Sequence, residues 1–227
     1  MPELPEVETI ARYLRQGKDE MPPILERRVS SAYVYWARSI AIPKVDLFHR
    51  QITNQIIQGV DRRGKFLRLE LSSAWLLVHL RMSGDLYVRA PDQAAGDHDR
   101  VVLLLDDGRH LVFNDPRKFG RMWLVSNPEI VLGDLVPEPF APDLEAGEFH
   151  ARLTSRRRLL KPLLMEQQFL AGMGNIYTDD ALHLAGLHPL TRSHTLDSEQ
   201  SERLLVSIRQ VLKAGIERQG TSIDWMY

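Results

Sequence analysis

A chain of 227 residues with 44% hydrophobic content can fill one large domain or two small ones, and no run approaches the ~20 apolar residues of a membrane-spanning helix. Cysteine is absent and the start has no signal-peptide pattern, so disulfides and thiolate metal sites are excluded within the sequence and a reducing cytoplasm is the expected compartment. The 29 Lys and Arg against 30 Asp and Glu argue against a nucleic-acid binder by bulk charge.

The first eight residues, Met1-Pro2-Glu3-Leu4-Pro5-Glu6-Val7-Glu8, admit two readings. Loss of Met1 would leave a secondary amine on Pro2 with the carboxylates of Glu3 and Glu6 close in sequence. Such an amine can attack an aldehyde-like carbon and form a cationic iminium, given a nearby acid/base. The plain alternative is a helix start, with Pro5 in the first turn and Glu6 and Glu8 at the positive dipole end. Either way, Val7, Ile10, Ala11 and Leu14 form an i, i+3, i+4, i+7 stripe that predicts a helix over Leu4–Gln16.

From Val29 to Val125 short strands are expected. Lys65–Leu71 alternates with Leu67, Leu69 and Leu71 on one face, and Trp75–Leu80 is a buried apolar run. Val101–Leu105 and His110–Phe113 flank an Asp107-Gly108 hairpin turn, and Arg121–Val125 is a further strand. Pro128, Pro137, Pro139 and Pro142 then mark a linker. Its stretch between Arg121 and Arg152 has no Lys or Arg and holds Glu129, Asp134, Glu138, Asp143, Glu145 and Glu148. Basic clusters lie outside it, at Arg62-Arg63-Gly64-Lys65 and Arg156-Arg157-Arg158, which leaves room for a local polyanion surface. Beyond the linker, helices are predicted over Leu144–Leu153, Lys161–Leu170, Ile176–Ala185 and Ser198–Arg218, the last capped by Asp197 or Ser198 and trailed by Gly220. The fold class is α+β: an N-terminal helix plus an antiparallel β-sandwich domain over 2–127, a linker over 128–143, and an all-helical domain over 144–227.

Chemistry could sit on four loops. Gly172-Met173-Gly174-Asn175-Ile176-Tyr177 precedes a helix whose first N–H groups could hold a phosphate, or it is a plain helix–helix turn. Asp115-Pro116-Arg117-Lys118-Phe119-Gly120 puts an arginine beside an aromatic, which can read a base edge and fill a gap in a base stack; a packed turn is the bland reading. His79-Leu80-Arg81-Met82-Ser83-Gly84 is similar, although a Met before a small-residue turn is more often core than wedge. His98 lies in a polar loop and says nothing alone. No metal-binding or Walker-type spacing appears.

In order and in combination, the Met-Pro-Glu-Leu-Pro-Glu-Val-Glu-Thr start, Arg62–Leu67, Asp115–Gly120 and Gly172–Tyr177 closely resemble the formamidopyrimidine-DNA glycosylases. Leu187-His188-Pro189-Leu190 and Gly220-Thr221-Ser222 extend the resemblance to the end of the chain. It implies a helix-two-turn-helix DNA-binding domain in the helical part. It also implies a bifunctional enzyme that excises oxidised purines (formamidopyrimidine, 8-oxoguanine) from duplex DNA, then nicks the abasic site by β,δ-elimination. Pro2 would be the Schiff-base nucleophile and Glu3 the acid/base partner. Glu6 would hold the amine and its water network, and Lys65 would assist proton transfer at the lesion. Met82, Arg117 and Phe119 would fill the hole left by the everted nucleotide, with Arg117 reading the orphaned cytosine. His79, His98, Arg156 and Asn175 would complete the DNA-binding set. The implied partner is double-stranded DNA carrying oxidised purines or abasic sites; a monomer with no membrane association is expected.

The family continues into a four-cysteine zinc finger, so no cofactor is expected in this chain. A fragment of a longer protein is the favoured explanation, ahead of a trimmed version or a naturally finger-less protein that has lost activity or relies on a partner; the alternative function is a truncated, non-catalytic damaged-DNA-binding remnant of this fold. Met1 must also leave, because it holds the Pro2 nitrogen as an amide, and proline at position two permits its removal.

Overall fold

The computed structural model describes residues 1–18 and 20–220. Thr221 and Ser222 of the last motif, and Trp225–Tyr227, lie outside the described residues. Two compact units emerge: residues 1–2 with Val7–Gly133, and Glu3–Glu6 with the chain from Asp134 onward.

Helix α1 (Leu4–Gln16) forms as the stripe predicts, and Val7, Ile10, Ala11 and Leu14 are all buried in the core of the first unit. Two sheets make up the rest of that core. One has the order β1 (Val29–Val34), β7 (Asp99–Leu105), β8 (His110–Asn114), β6 (Asp85–Arg89). The other runs β2 (Ile40–Ile42), β9 (Arg121–Val125), β5 (Trp75–His79), β4 (Phe66–Leu71), β3 (Ile57–Arg63). The pairing is antiparallel except between β2 and β9, where a three-residue edge strand runs parallel. Leu67, Leu69 and Leu71 share the buried face, as alternation requires. Lys65 is not in the strand: Arg63 pairs with Phe66, leaving Gly64-Lys65 as a two-residue hairpin loop. Gly64 opens it at φ 57°, a conformation glycine adopts without steric penalty.

Two elements depart from the sequence reading here. Helix α2 (Val45–Ile52) interrupts the strands, burying Phe48 and Ile52 four residues apart on one side. A short helix α3 (Glu129–Leu132) lies in the proline-rich stretch.

The second unit is helical: α4 (Ala146–Thr154), α5 (Leu160–Met165), α6 (Asn175–Leu184) and α7 (Ser198–Glu217). Its core gathers Leu4, Phe149, Leu160, Leu164, Tyr177, Leu204, Ile208 and Leu212 among others. Asp197 caps α7 in a capping box, with Gln200 N–H donating to its carboxylate and the Gln200 side chain accepting from its N–H. The helix expected over Lys161–Leu170 ends at Met165. Glu166 turns extended (ψ 118°), and the Gln167 amide organises the loop that leads to α6. Its Nε2 donates to the carbonyls of Met165 and Met173 (3.0 and 2.9 Å), and its Oε1 accepts from Gly172 N–H at 2.8 Å. Phe169 and Leu170 are buried as loop residues, so their apolar spacing mimicked a helix that is not there. No helix among the described residues is long and apolar enough to cross a membrane.

Candidate active site and nucleic-acid interface

Two glutamates that sequence places at a helix start are buried in the helical unit, Glu3 at 1% exposure and Glu6 at 2%. A buried carboxylate is tolerated only with hydrogen-bond donors around it, and both have them. The Glu3 carboxylate sits on the N-terminus of α6, accepting from the backbone N–H of Ile176 at 2.9 Å and Tyr177 at 3.4 Å. The orphan N–H groups and the helix dipole both favour a negative charge there. The phosphate role suggested for this helix start is therefore partly taken by an internal carboxylate; Asn175, the first helical residue, remains exposed.

Glu6 is gripped from two sides. Its Oε2 accepts from the backbone N–H of Glu3 at 2.8 Å, and its Oε1 accepts from the Tyr177 hydroxyl at 2.9 Å. Burial first, then the charge of Glu6, hold the Tyr177 hydroxyl protonated well above the ordinary tyrosine range, so it stays a donor. Tyr177 thus touches both carboxylates, through its N–H and its hydroxyl. It lies inside the Gly172–Tyr177 motif, where sequence gave it no role of its own.

Glycines make this packing possible. A Cβ on Gly174 would lie 2.2 Å from Glu3 Cδ, and one on Gly215 would lie 2.5 Å from the Tyr177 ring. Gly172 has φ 100° and its carbonyl accepts from Leu4 N–H at 3.1 Å, which pins the first turn of α1. Pro2, next in the chain to Glu3, is half-buried.

In the β unit a second cluster forms around Asp115, which is fully buried (0% exposed). Its Oδ1 accepts from Ser83 Oγ (2.6 Å) and Arg117 N–H (3.2 Å), and its Oδ2 from Gly120 N–H (2.7 Å). Its backbone N–H donates to the His98 carbonyl at 2.9 Å, and its carbonyl accepts from Arg100 Nε at 2.8 Å. The Asp115 carboxylate therefore ties the Met82 turn to the Arg117–Phe119 loop, and its backbone N–H adds the loop of His98. Met82 (46% exposed) and Phe119 (49%) both point away from the core, so the bland core reading of Met82 fails. The Arg117 guanidinium lies 5.2 Å from the Phe119 ring centre, a cation–π distance.

Lys65 and His79 are neighbours in this unit, both largely buried. The His79 ring meets Phe66 edge-on at 4.7 Å, and its Nδ1 accepts from Arg81 N–H at 3.0 Å. Burial, then the charges of Arg81 and Lys65, push its pKa down to about 3. A neutral histidine with one nitrogen occupied braces the turn before Met82 and offers no positive charge to a phosphate. His98 is exposed, its Nδ1 3.3 Å from Arg100 Nη2. Arg156 is exposed in the helical unit, on a loop held by Ser193 Oγ donating to its carbonyl at 2.6 Å.

Two family models match the chain. The formamidopyrimidine-DNA glycosylase N-terminal domain matches residues 1–122, and the formamidopyrimidine-DNA glycosylase H2TH domain matches residues 135–226. The chain belongs to the formamidopyrimidine-DNA glycosylase family. It is a DNA-repair glycosylase of that family. The formamidopyrimidine-DNA glycosylase of Protochlamydia amoebophila is 38% identical over 224 residues, spanning 98% of this chain and 79% of the relative. Two solved structures of the Lactococcus lactis formamidopyrimidine-DNA glycosylase are 32% identical to it. The one bound non-covalently to DNA containing an AP site gives a TM-score of 0.90 over 98% of this chain and 83% of that one. The one in complex with Fapy-dG-containing DNA gives 0.89 over 97% and 82%. The four-cysteine zinc finger of formamidopyrimidine-DNA glycosylases finds no ligands in these 227 cysteine-free residues. No group of three or more His, Asp or Glu among the described residues is placed to hold a metal ion.

Proposed function

We propose that this chain excises oxidised purines, formamidopyrimidines and 8-oxoguanine, from duplex DNA and then cleaves the abasic strand. The observation that carries the reading is the Glu3 carboxylate seated on the start of α6, in the residue next to the Pro2 amine. Chain continuity keeps the two Cα atoms about 3.8 Å apart, so a nucleophile and an acid/base partner arrive together.

Once Met1 is removed, the Pro2 nitrogen is a secondary amine. It attacks C1′ of the damaged nucleotide; the C1′–N bond breaks and the base leaves with a proton. Glu3 delivers a proton to the sugar ring oxygen, which opens the ring and gives the C1′ iminium. That cation acidifies the C2′ proton. Its loss expels the 3′-phosphate, a second elimination expels the 5′-phosphate, and hydrolysis returns the free amine. Glu6 orients the amine end of the chain through the Glu3 N–H, and Lys65 assists proton transfer at the lesion. The nucleophile is the main-chain amine of Pro2, the acid/base groups are side chains, and water completes the hydrolysis.

The target base must leave the stack before attack. Met82, Arg117 and Phe119, exposed on two tied loops, suit insertion into the vacated space, with Arg117 reading the orphaned cytosine. His79 serves by bracing the Met82 turn. His98, Arg156 and Asn175 are exposed and suit phosphate contacts, which makes binding salt-dependent. The Lactococcus lactis relative, captured on Fapy-dG DNA and on AP-site DNA, supports the substrate class. Such a substrate places the enzyme with the chromosome in the bacterial cytoplasm.

Borohydride trapping on a duplex containing 8-oxoguanine tests this. A covalent protein–DNA adduct is expected, and Pro2→Gly should abolish it. Intact mass first verifies that Met1 is gone. No adduct from protein with a free Pro2 amine would refute the proposal and leave DNA binding without catalysis.

A further inference from the structure

We propose that the Met82 turn and the Arg117–Phe119 loop act as one lesion-probing unit, coupled by the Ser83–Asp115 hydrogen bond, and that Ser83 is the positioning residue that makes opposite-base reading depend on both loops. This coupling rests on the proposed action on DNA lesions.

Each loop has anchors of its own. The Met82 turn is held at its start by Arg81 N–H on His79 Nδ1 (3.0 Å) and at its end by Gly84 N–H on the Leu80 carbonyl (3.0 Å). A Cβ on Gly84 would lie 2.5 Å from that carbonyl oxygen, so the turn is tightly closed. The other loop is closed by Arg117 and Gly120 N–H on the two oxygens of Asp115, and by Lys118 N–H on its carbonyl at 3.3 Å. Both loops pass through left-handed conformations at non-glycine residues, Arg81 at φ 58° and Lys118 at φ 61°, which only firm anchoring sustains.

The Ser83 hydroxyl adds something neither loop needs for its own closure. It donates to Asp115 Oδ1 at 2.6 Å, a short charge-assisted bond, and itself accepts from Arg117 N–H at 3.3 Å. The residue next to the exposed Met82 thus contacts the backbone of Arg117 directly and through Asp115. Asp115 is fully buried and cannot exchange these donors for water. A displacement of one probe loop is therefore felt at the other. If Met82 occupies the lesion strand's gap, the linkage sets where Arg117 meets the opposite base.

The coupling has its effect when a partner base must be separated and read. When the lesion already faces an abasic site, Arg117 has nothing to read and the linkage contributes less. The test is single-turnover excision by wild type, Ser83→Ala and Ser83→Thr on two duplexes, one with 8-oxoguanine opposite cytosine and one with 8-oxoguanine opposite an abasic analogue. The rate ratio between the paired and unpaired substrates should fall about tenfold in Ser83→Ala, the scale of one hydrogen bond to a charged group. Ser83→Thr, which keeps the hydroxyl, should restore the ratio. Thermal melting of each variant registers any change in the fold itself. An unchanged ratio in Ser83→Ala, whether both rates stay at the wild-type level or both drop equally, overturns the coupling. Wild-type protein that forms no borohydride adduct on either duplex refutes the underlying lesion reading and takes the coupling with it.

Discussion

Gly174→Ala separates a steric role from a backbone role at the carboxylate site. Gly174 caps α6 with φ −135° and ψ −159°, an extended conformation open to any residue. By backbone alone, alanine should stabilise the protein by about 0.4–1 kcal/mol through a stiffer unfolded chain. The structure predicts the opposite sign. The new Cβ would meet Glu3 Cδ at 2.2 Å, Oε1 at 2.5 Å and Cγ at 2.6 Å, far inside contact distance. Relief requires Glu3 to leave the helix start and give up its bonds to Ile176 and Tyr177 N–H, or the helix to shift. Hydrogen bonds to a charged group contribute a net ~1.5–3 kcal/mol, and overpacking typically costs ~1–3 kcal/mol. Since one strain substitutes for the other, the two do not add, and the expected loss is about 1–3 kcal/mol. Urea unfolding measures it. The same measurement in a Glu3→Ala background isolates the clash, because removing Glu3 removes the overlapping atoms; the cost of Gly174→Ala should then shrink by at least ~1 kcal/mol. Borohydride trapping should fall with the displacement of Glu3. A Gly174→Ala protein as stable as wild type that also traps DNA at the wild-type rate would refute the argument.

Other parts of the molecule make their own demands. Tyr177→Phe removes one hydroxyl and leaves the shape intact, so single-turnover trapping should drop about 10–100-fold while duplex affinity holds; because the hydroxyl stays protonated, the deficit should be the same at every pH below ~10. Asp85 is pushed up to about 6, chiefly by burial and against the Leu86 N–H and the Lys18 charge. Its folded form holds the proton more tightly than the unfolded chain, so that contribution is full below pH ~4 and lost as pH rises through 6. Asp85→Asn should accordingly stabilise the protein at pH 8 by about 1–3 kcal/mol and change little at pH 4, as denaturant melts at both pH values would report. Arg156→Ala should weaken duplex binding across sequences alike and lower the slope of log K against log salt by about one, read from a salt titration of a fluorescent duplex.

What could be read from the sequence was what repeats along it. Helix α1 and the leucine face of β4 announced themselves because burial follows the period of the element. Helix α2 has only Phe48 and Ile52 to show, too short a run to stand out among strands. The loop after α5 misled because Phe169 and Leu170 are buried for reasons of tertiary packing, around a Gln167 amide whose three bonds no pattern records. At the site, the Pro2-Glu3-Glu6 start was visible as chemistry but ambiguous as structure. At the start of α6 the anion in the structure is an internal one, Glu3, 173 residues before Ile176, where sequence suggested a phosphate. Asp115 and Ser83 stand inside the two loop motifs, yet sequence gives them no role, because a turn aspartate is ordinarily solvated and its burial follows only from the fold.

The near-zero net charge is a poor guide to this surface for a related reason. Many of the arginines counted against the acids do internal work. Arg89 pairs with the buried Asp99, Arg68 makes two bonds to Asp61, and Arg109 binds Asp107 and the Pro22 and Pro23 carbonyls. In the helical unit Arg209 holds the carbonyls of Pro139 and Leu144, and Arg152 that of Phe169. Such guanidiniums tie chain segments together and contribute little field to an incoming polyanion. The acids divide too: Glu3, Glu6, Asp99 and Asp115 are buried, while Glu129, Asp134, Asp143, Glu145 and Glu148 are exposed in the arginine- and lysine-free stretch between Arg121 and Arg152. Arg117, Arg156 and Arg157 are exposed, on segments proposed above to meet DNA or adjoining them. Attraction to a phosphate backbone depends on these local charges within a Debye length of ~10 Å and hardly on the sum over the chain. A protein of formal charge −1 can therefore bind DNA with a salt dependence set by a few exposed arginines, which is the quantity the Arg156→Ala titration measures.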